Sequence, residues 1–168
     1  MPNRVNHNIS FGGAELIFCN FSGKPTKFNP QGGKRDFGVI LDRETADRLS
    51  EEGWNVKSYL SKHAEPDDEP ILYLPVEMRF DYFPPNVWFI TSRNRTRLVE
   101  ETVGMLDSML SDIRNVDLVV RPYNWGPNAR GESGVKAYVK NMYVEVEEDE
   151  FFDKYADIPD SSQMIDED

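Results

Sequence analysis

One cysteine, Cys19, and two histidines, His7 and His63, are all the thiol and imidazole chemistry in the 168 residues. A single cysteine excludes an intramolecular disulfide and fits a reducing compartment. No nucleophile–base motif can be assembled around so few groups, so catalysis is not expected. No apolar run approaches the ~20 residues a membrane helix needs, and no cationic-then-apolar segment opens the sequence. The expectation is a soluble, cytoplasmic protein with no membrane partner. Gly32-Gly33-Lys34 lacks the spacing of a P-loop, which argues against nucleoside triphosphate binding. The charged stretch 61–70 holds His63, Glu65, Asp67, Asp68 and Glu69, but their spacing matches neither an EF-hand nor a zinc pattern. It is expected to be a solvated loop, and no metal or cofactor is expected.

What the chain has is charge in the wrong places for a uniform surface. The formal net charge is −11. From Glu145 to Asp168 there are 11 acids and one base, Lys154, so this stretch carries −10 and residues 1–144 carry only −1. Segregation of this kind marks an interaction tail on a nearly neutral body. The expected organisation is therefore a domain over 1–144 and an acidic, disordered tail over 145–168. Phe151, Phe152 and Tyr155 sit among the tail's acids, where mere solvation has no use for them, and they are the candidate partner-binding residues.

Period-two alternation predicts strands at 14–21, 37–41, 54–60, 71–83 and 87–92, with the last two as hairpin partners across Pro84-Pro85. Pro75 suggests an edge or a bulge. Residues 1–10 are polar and expected to be loose. Asp42 and Gly53 bracket a short helix with Ala46 and Leu49 inward. A second helix is expected from Thr96 to Leu110, with Val99, Val103, Leu106 and Leu110 on one stripe.

The stretch Asn115 to Glu150 carries the functional signal. It predicts two strands joined by a polar, glycine-bearing loop. The first places Arg121, Tyr123 and Trp125 on one face, and the second places Lys136, Tyr138 and Lys140 together. Beyond Asn141 the apolar residues Met142, Val144 and Val146 take over the parity of the lysines. The strand must change faces there through a bulge or be buried on both sides. Cations beside aromatics on one sheet face suit single-stranded nucleic acid, whose bases stack on rings while its phosphates meet charge. Half-buried strands of no such function also carry these residue types. The glycine-rich loop 22–36 adds Lys24, Lys27, Phe28, Lys34 and Arg35 as candidates for closing on a backbone. Arg93 and Arg95, just past a strand end, add phosphate-binding candidates.

The predicted fold is mainly β with two helices (α+β), and an OB-fold-like five-stranded antiparallel Greek-key barrel with extra hairpins fits best. The phrases NFSG (20–23), KRDFGVILD (34–42), GWNVK (53–57), YLPVEMRF (73–80), ITS (90–92), NVDLVVRPYNW (115–125), SGVKAYVKNMYV (133–144) and the acidic end occur in an order that resembles the single-stranded DNA-binding proteins of tailed bacteriophages. The resemblance covers about residues 18–157. It implies an OB-fold protein that coats single-stranded DNA in the host cytoplasm during phage replication or recombination. It also implies an acidic tail that recruits replication or recombination proteins. Many such tails end in an aromatic residue, whereas this sequence ends Met164-Ile165-Asp166-Glu167-Asp168, so partner contact is assigned to Phe151, Phe152 and Tyr155. A homo-oligomer stays open. Two other classes stay open too: a metal-dependent nuclease, and an acidic DNA mimic that binds a basic host or replication protein.

Overall fold

The computed structural model describes residues 4–147. The chain is mainly β. Its strands are β1 (Ile9–Phe11), β2 (Leu16–Asn20), β3 (Arg35–Leu41), β4 (Lys57–Tyr59), β5 (Ile71–Met78), β6 (Asn86–Ile90), β7 (Arg95–Leu98), β8 (Ile113–Trp125) and β9 (Gly134–Val146). Among the described residues one α-helix, α1 (Arg43–Glu52), follows β3, and two 3-10 turns, Val103–Ser108 and Leu110–Asp112, precede β8.

Helix α1 lies where its caps predict. The Asp42 carboxylate accepts a hydrogen bond from the Thr45 N–H at 2.7 Å. Gly53 ends the helix at φ 103°, a conformation that costs glycine nothing. Ala46 and Leu49 are buried as expected. The second helix is displaced from its expected start. Arg95–Leu98 forms β7 against β6, and helical turns begin only at Val103. β-Branched Thr96 and Val99 and the unpaired edge of β6 favour strand pairing there over helix propensity.

The nine strands among the described residues form one mixed, open sheet in the order β1-β8-β9-β5-β3-β2, with β4 beside β5 and β6 between β9 and β7. The expected closed, five-stranded, all-antiparallel barrel is not what the pairing gives. β5 and β6 do not form a hairpin. Both run parallel to β9, β5 at Ala137–Tyr138 and β6 at Asn141–Glu145. The seven residues between β5 and β6 include Pro84 and Pro85, which lack N–H donors. That segment crosses over rather than turning tightly, so both strands meet the same edge of β9 in succession. The link between β1 and β2 is held to β8, where Ala14 N–H donates to Val116 O at 2.7 Å.

Several strands differ from expectation in extent. β1 was hidden in a polar stretch; it pairs with Leu118–Val120 of β8. The Asn124 side chain locks the segment before it through paired 2.9 Å bonds to the Val5 backbone. β5 stops at Met78, leaving 79–83 outside the sheet, and Pro75 lies opposite Gly38 in mid-strand. Trp54 makes one bridge to Val135 and is buried, and only 57–59 continue as strand. β9 runs two residues past the expected domain limit at 144.

The hairpin β8–β9 carries the bulge that the parity change requires. Val120 pairs with Val139 and Val119 with Asn141, so Lys140 is the extra residue. Before it Val135, Ala137 and Val139 face the core; after it Met142, Val144 and Val146 do. The core is completed by Phe21, Phe37, Val39, Leu74, Val76, Val87, Leu106, Val116 and Leu118. Among the described residues no helix is long and apolar enough to cross a membrane.

Candidate nucleic-acid interface

The face of β8 and β9 turned away from the core is built by strict alternation. Arg121 lies opposite Tyr138, Tyr123 opposite Lys136, and Trp125 opposite Gly134. Directly opposed residues on an antiparallel pair share a face, so in the Arg121–Tyr138 and Tyr123–Lys136 pairs a cation meets a ring across the ribbon. The loop between the strands is held in shape by Gly126 (φ 90°), where a Cβ would fall 2.5 Å from Glu132 O. The Asn128 carboxamide closes the loop, accepting from the N–H groups of Arg130 and Glu132, each at 2.9 Å. Gly134 leaves room for the Trp125 ring, which a Cβ there would approach to 3.0 Å.

Arg121 is the centre of the face. Its guanidinium carbon lies 5.0 Å from the Tyr138 ring centroid and 5.3 Å from that of Phe83, within the range of cation–π attraction. Tyr123 meets Tyr138 edge-on at 6.0 Å and is itself half exposed. Lys136 Nζ lies 5.2 Å from the same Tyr138 ring. Tyr138 is buried, so it supports the cluster from beneath, while Tyr123, Trp125 and Phe83 present open ring surface.

A carboxylate sits inside this basic face. Glu77 of β5 is opposite Tyr138, and its Oε1 receives a hydrogen bond from Lys136 Nζ at 3.3 Å and an ion pair from Lys34 Nζ at 3.8 Å. Burial pulls the Lys136 pKa down, but Glu77, with the Tyr138 hydroxyl, more than offsets this and leaves it above the ordinary lysine value. Lys34 also reaches Asp36 at 3.8 Å. Burial raises the Asp36 pKa, Lys34 opposes the rise, and Glu77 adds to it. Beyond Glu77, Arg79 holds Asp81 through two bonds of 3.1 and 2.8 Å. That contact keeps the Asp81 carboxyl below its usual range.

A cleft of about 410 Å³ adjoins the face, lined by Gly32, Gly33, Lys34, Arg35, Arg79 and Phe80 among others. Arg35 lies over the Phe80 ring at 5.9 Å and bonds Glu100 O at 3.4 Å. The loop ahead of β3 is tied rather than loose. Asn20 bonds both ways to the Lys24 backbone, and Gly33 N–H reaches Gly23 O at 2.7 Å. Lys27 and the exposed Phe28 pair with each other at its tip, 6.0 Å apart.

The structure thus gathers Lys34, Arg121, Tyr123, Trp125, Lys136 and Tyr138 on or beside one face, with Arg35 at its margin. Lys24, Lys27 and Phe28 extend on the flanking loop. Lys140 is exposed at the bulge. Arg93 and Arg95 do not join the group. Arg95 is opposite Ile90, which is opposite Glu145, seven residues past Tyr138 and so roughly 23 Å along β9. Phe151, Phe152 and Tyr155 lie outside the described residues. Sequence reasoning missed Glu77, which joins the cluster across strands, and Arg79 and Phe83, having continued β5 through the last two. The signal was an aromatic pair, Tyr82-Phe83, abutting Pro84-Pro85, where a strand has to end. Burial, then Asp107 and Asp36, push the Cys19 thiol up to about 11. Among the described residues no three His, Cys, Asp or Glu are placed to hold a metal ion.

An open mixed sheet with a basic, aromatic outer face is the frame in which the comparisons with known proteins fall. The chain belongs to the phage ssDNA-binding domain family, whose model matches residues 2–167. Among solved structures it is similar to the single-stranded DNA-binding protein from bacteriophage Enc34 in complex with ssDNA, at 13% identity and a TM-score of 0.50, over 84% of this chain and 88% of that one. A C-terminal truncation of the Enc34 protein aligns at 13% identity and a TM-score of 0.49, over 84% and 87% of the two chains. Gp2.5, a single-stranded DNA-binding protein encoded by bacteriophage T7, aligns at 8% identity and a TM-score of 0.41, over 94% and 97%. No curated protein sequence matches.

Proposed function

We propose that this protein binds single-stranded DNA without strong sequence preference and protects it during phage replication or recombination. The observation that carries the reading is Arg121, held between the rings of Phe83 and Tyr138 beside the exposed Tyr123. Tyr123, Trp125 and Phe83 offer faces on which bases stack, and Arg121, Lys136 and Lys34 meet the phosphates. Ring faces accept any base, so affinity comes without readout of base edges. The loop bearing Lys24, Lys27 and Phe28 follows the backbone away from the sheet. Family membership and the Enc34 complex support the same reading.

The acidic tail has two roles in this proposal: it competes with DNA for the cationic face, and it recruits replication or recombination proteins through Phe151, Phe152 and Tyr155. The tail follows the end of the hairpin that lies away from the cations, so the first role requires it to fold back along the sheet. β9 ends at Val146, and Glu147 N–H is bonded to Asp112 O at 2.7 Å, so the acidic stretch begins on the same hairpin that carries the cations.

The test is a tryptophan-fluorescence titration of the full chain, and of a form ending at Glu147, with oligothymidylate at low and moderate salt. The expected result is quenching that weakens with salt, at a log–log slope of about −0.7 per phosphate contact, and tighter binding by the shorter form. Absence of binding by both forms at low salt would overturn the reading, and equal affinities would remove the tail's competition from it.

A further inference from the structure

Two non-glycine residues among the described residues have positive φ, and both are exposed phenylalanines: Phe18 at 55° and Phe83 at 52°. A bulky side chain is strained there, and such strain gathers at functional sites. Phe83 belongs to the face described above. Phe18 belongs to a second aromatic cluster, where it meets Tyr59 edge-on at 5.1 Å and Tyr73 at 5.4 Å. Phe18 is 50% exposed and Tyr59 42%, so burial does not explain the cluster.

The two clusters share one side of the sheet. Leu74, Val76 and Met78 of β5 enter the core. Tyr73, Pro75 and Glu77 therefore point the other way, to the side where Glu77 meets Lys136. Tyr73 and Glu77 are four residues apart, about 13 Å along the strand. Between them Tyr73 and Ile17 pack over a glycine, Gly38. Pro75 is opposite Gly38, where a Cβ would lie 2.8 Å from the Tyr73 ring and 2.9 Å from Ile17. Lys57 is opposite Tyr73 on the same side and is exposed. The loop joining β4 to β5, with Glu65, Asp67, Asp68 and Glu69, borders the far end with negative charge.

We propose that Phe18, Tyr59 and Tyr73 form a second base-stacking platform, which the same single strand reaches after crossing Gly38 and Pro75, with Lys57 meeting its phosphate. This inference rests on the single-strand reading above and extends it from one platform to two. Continuity of the exposed side favours nucleic acid as the occupant. The acidic loop then marks where the strand must leave.

The test compares fluorescence anisotropy of labelled oligothymidylates of about 4 and about 16 nucleotides, which bracket the site sizes of single-strand-binding domains. They are titrated with the full wild-type chain, Phe18→Gly and Tyr59→Ala. Glycine adopts the backbone of residue 18 without strain, so that variant removes the ring without endangering the fold. The expected result is a roughly tenfold loss on the longer oligonucleotide in each variant, the effect of one lost stacked base, and no change on the shorter one. Wild-type affinity of both variants for the longer oligonucleotide would overturn the proposal. So would unchanged DNA affinity with a loss of self-association in sedimentation, which would make the cluster a contact between copies. Failure of the wild type to bind either oligonucleotide would instead overturn the single-strand reading on which the proposal stands.

Discussion

The two ends of the β8–β9 ribbon present the same side of the sheet with opposite chemistry. On one end the outward pairs are Trp125 with Gly134, Tyr123 with Lys136 and Arg121 with Tyr138. On the other they are Val119 with Asn141, Asp117 with Tyr143 and Asn115 with Glu145. From Asn115 to Trp125 β8 keeps its parity, with Val116, Leu118 and Val120 buried at every second place. β9 does not. The one extra residue, Lys140, moves its odd-numbered positions from core to surface. Unbroken alternation would have put Met142 and Val144 outward and Tyr143 and Glu145 in the core. A single-residue bulge thus ends the basic-aromatic row and begins an acidic one while keeping the hydrophobic core continuous. An interface on this sheet need not be bounded by where strands end.

The comparison breaks most directly if both ends bind DNA alike. Replacing Arg121 and Tyr123 together by alanine removes one ring face and one cation. With a stacked base contributing about 1–3 kcal/mol, the expected loss is about 100-fold in oligothymidylate affinity at low salt. At the other end, Asp117→Asn with Glu145→Gln removes two negative charges. The carboxamide oxygen that the first substitution leaves in place of a carboxylate oxygen can still accept the Gly13 N–H bond now made by Asp117. That pair of changes is expected to leave affinity within about threefold of wild type, on the tighter side, because Asp117 lies about 13 Å and Glu145 about 20 Å along the ribbon from Arg121, both beyond the Debye length of ~8–10 Å at moderate salt. Equal losses in the two double mutants, measured by the same titration, would dissolve the distinction.

Glu77 sharpens the comparison from inside the basic end. It holds both Lys34 and Lys136 in ion pairs. Its side chain is only 11% exposed, so its charge is less screened than that of a surface acid. Incoming phosphates must compete with it for both ammonium groups. Glu77→Gln is expected to tighten binding about fivefold and to steepen the salt dependence, since two more cations become available to phosphates. A weaker or salt-insensitive variant would mean that Glu77 positions the lysines and does not restrain them.

What the sequence made legible follows from how local each signal is. The caps of α1 are fixed by Asp42 and Gly53 alone, and the face change near Asn141 follows from counting parity, so both could be read without a structure. The rows Arg121-Tyr123-Trp125 and Lys136-Tyr138 were legible for the same reason. The order of strands was not. That β5 and β6 both lie parallel to β9 depends on a crossover through 79–85, whose destination no periodicity encodes. Phe83 and Glu77 were missed with it, because each joins the cluster across strands. Arg93 and Arg95 were grouped with the interface on residue type and their place just past a strand end, and the β6–β7 hairpin carries Arg95 to the acidic end. The second helix was overextended because an apolar stripe at 99–110 says nothing of the open edge of β6 that claims residues 95–98.

The bulge itself is the last place to test the comparison. Removing Lys140 brings Val139 and Asn141 into consecutive places opposite Val120 and Val119, the pairs they already make. Regular alternation then turns Val139 inward, Asn141 outward and Met142 inward, the directions they hold in the bulged strand. Loss of the residue should therefore leave the core intact, unlike most single deletions within a central strand. The expected change in Tm is a few degrees at most by circular dichroism. Because Lys140 sits at the boundary between the two rows, the deletion should cost only about twofold in affinity, as loss of one exposed cation. A collapse in stability would mean that the extra twist of the bulge, and not the parity it restores, is what lets β5 and β6 share the edge of β9.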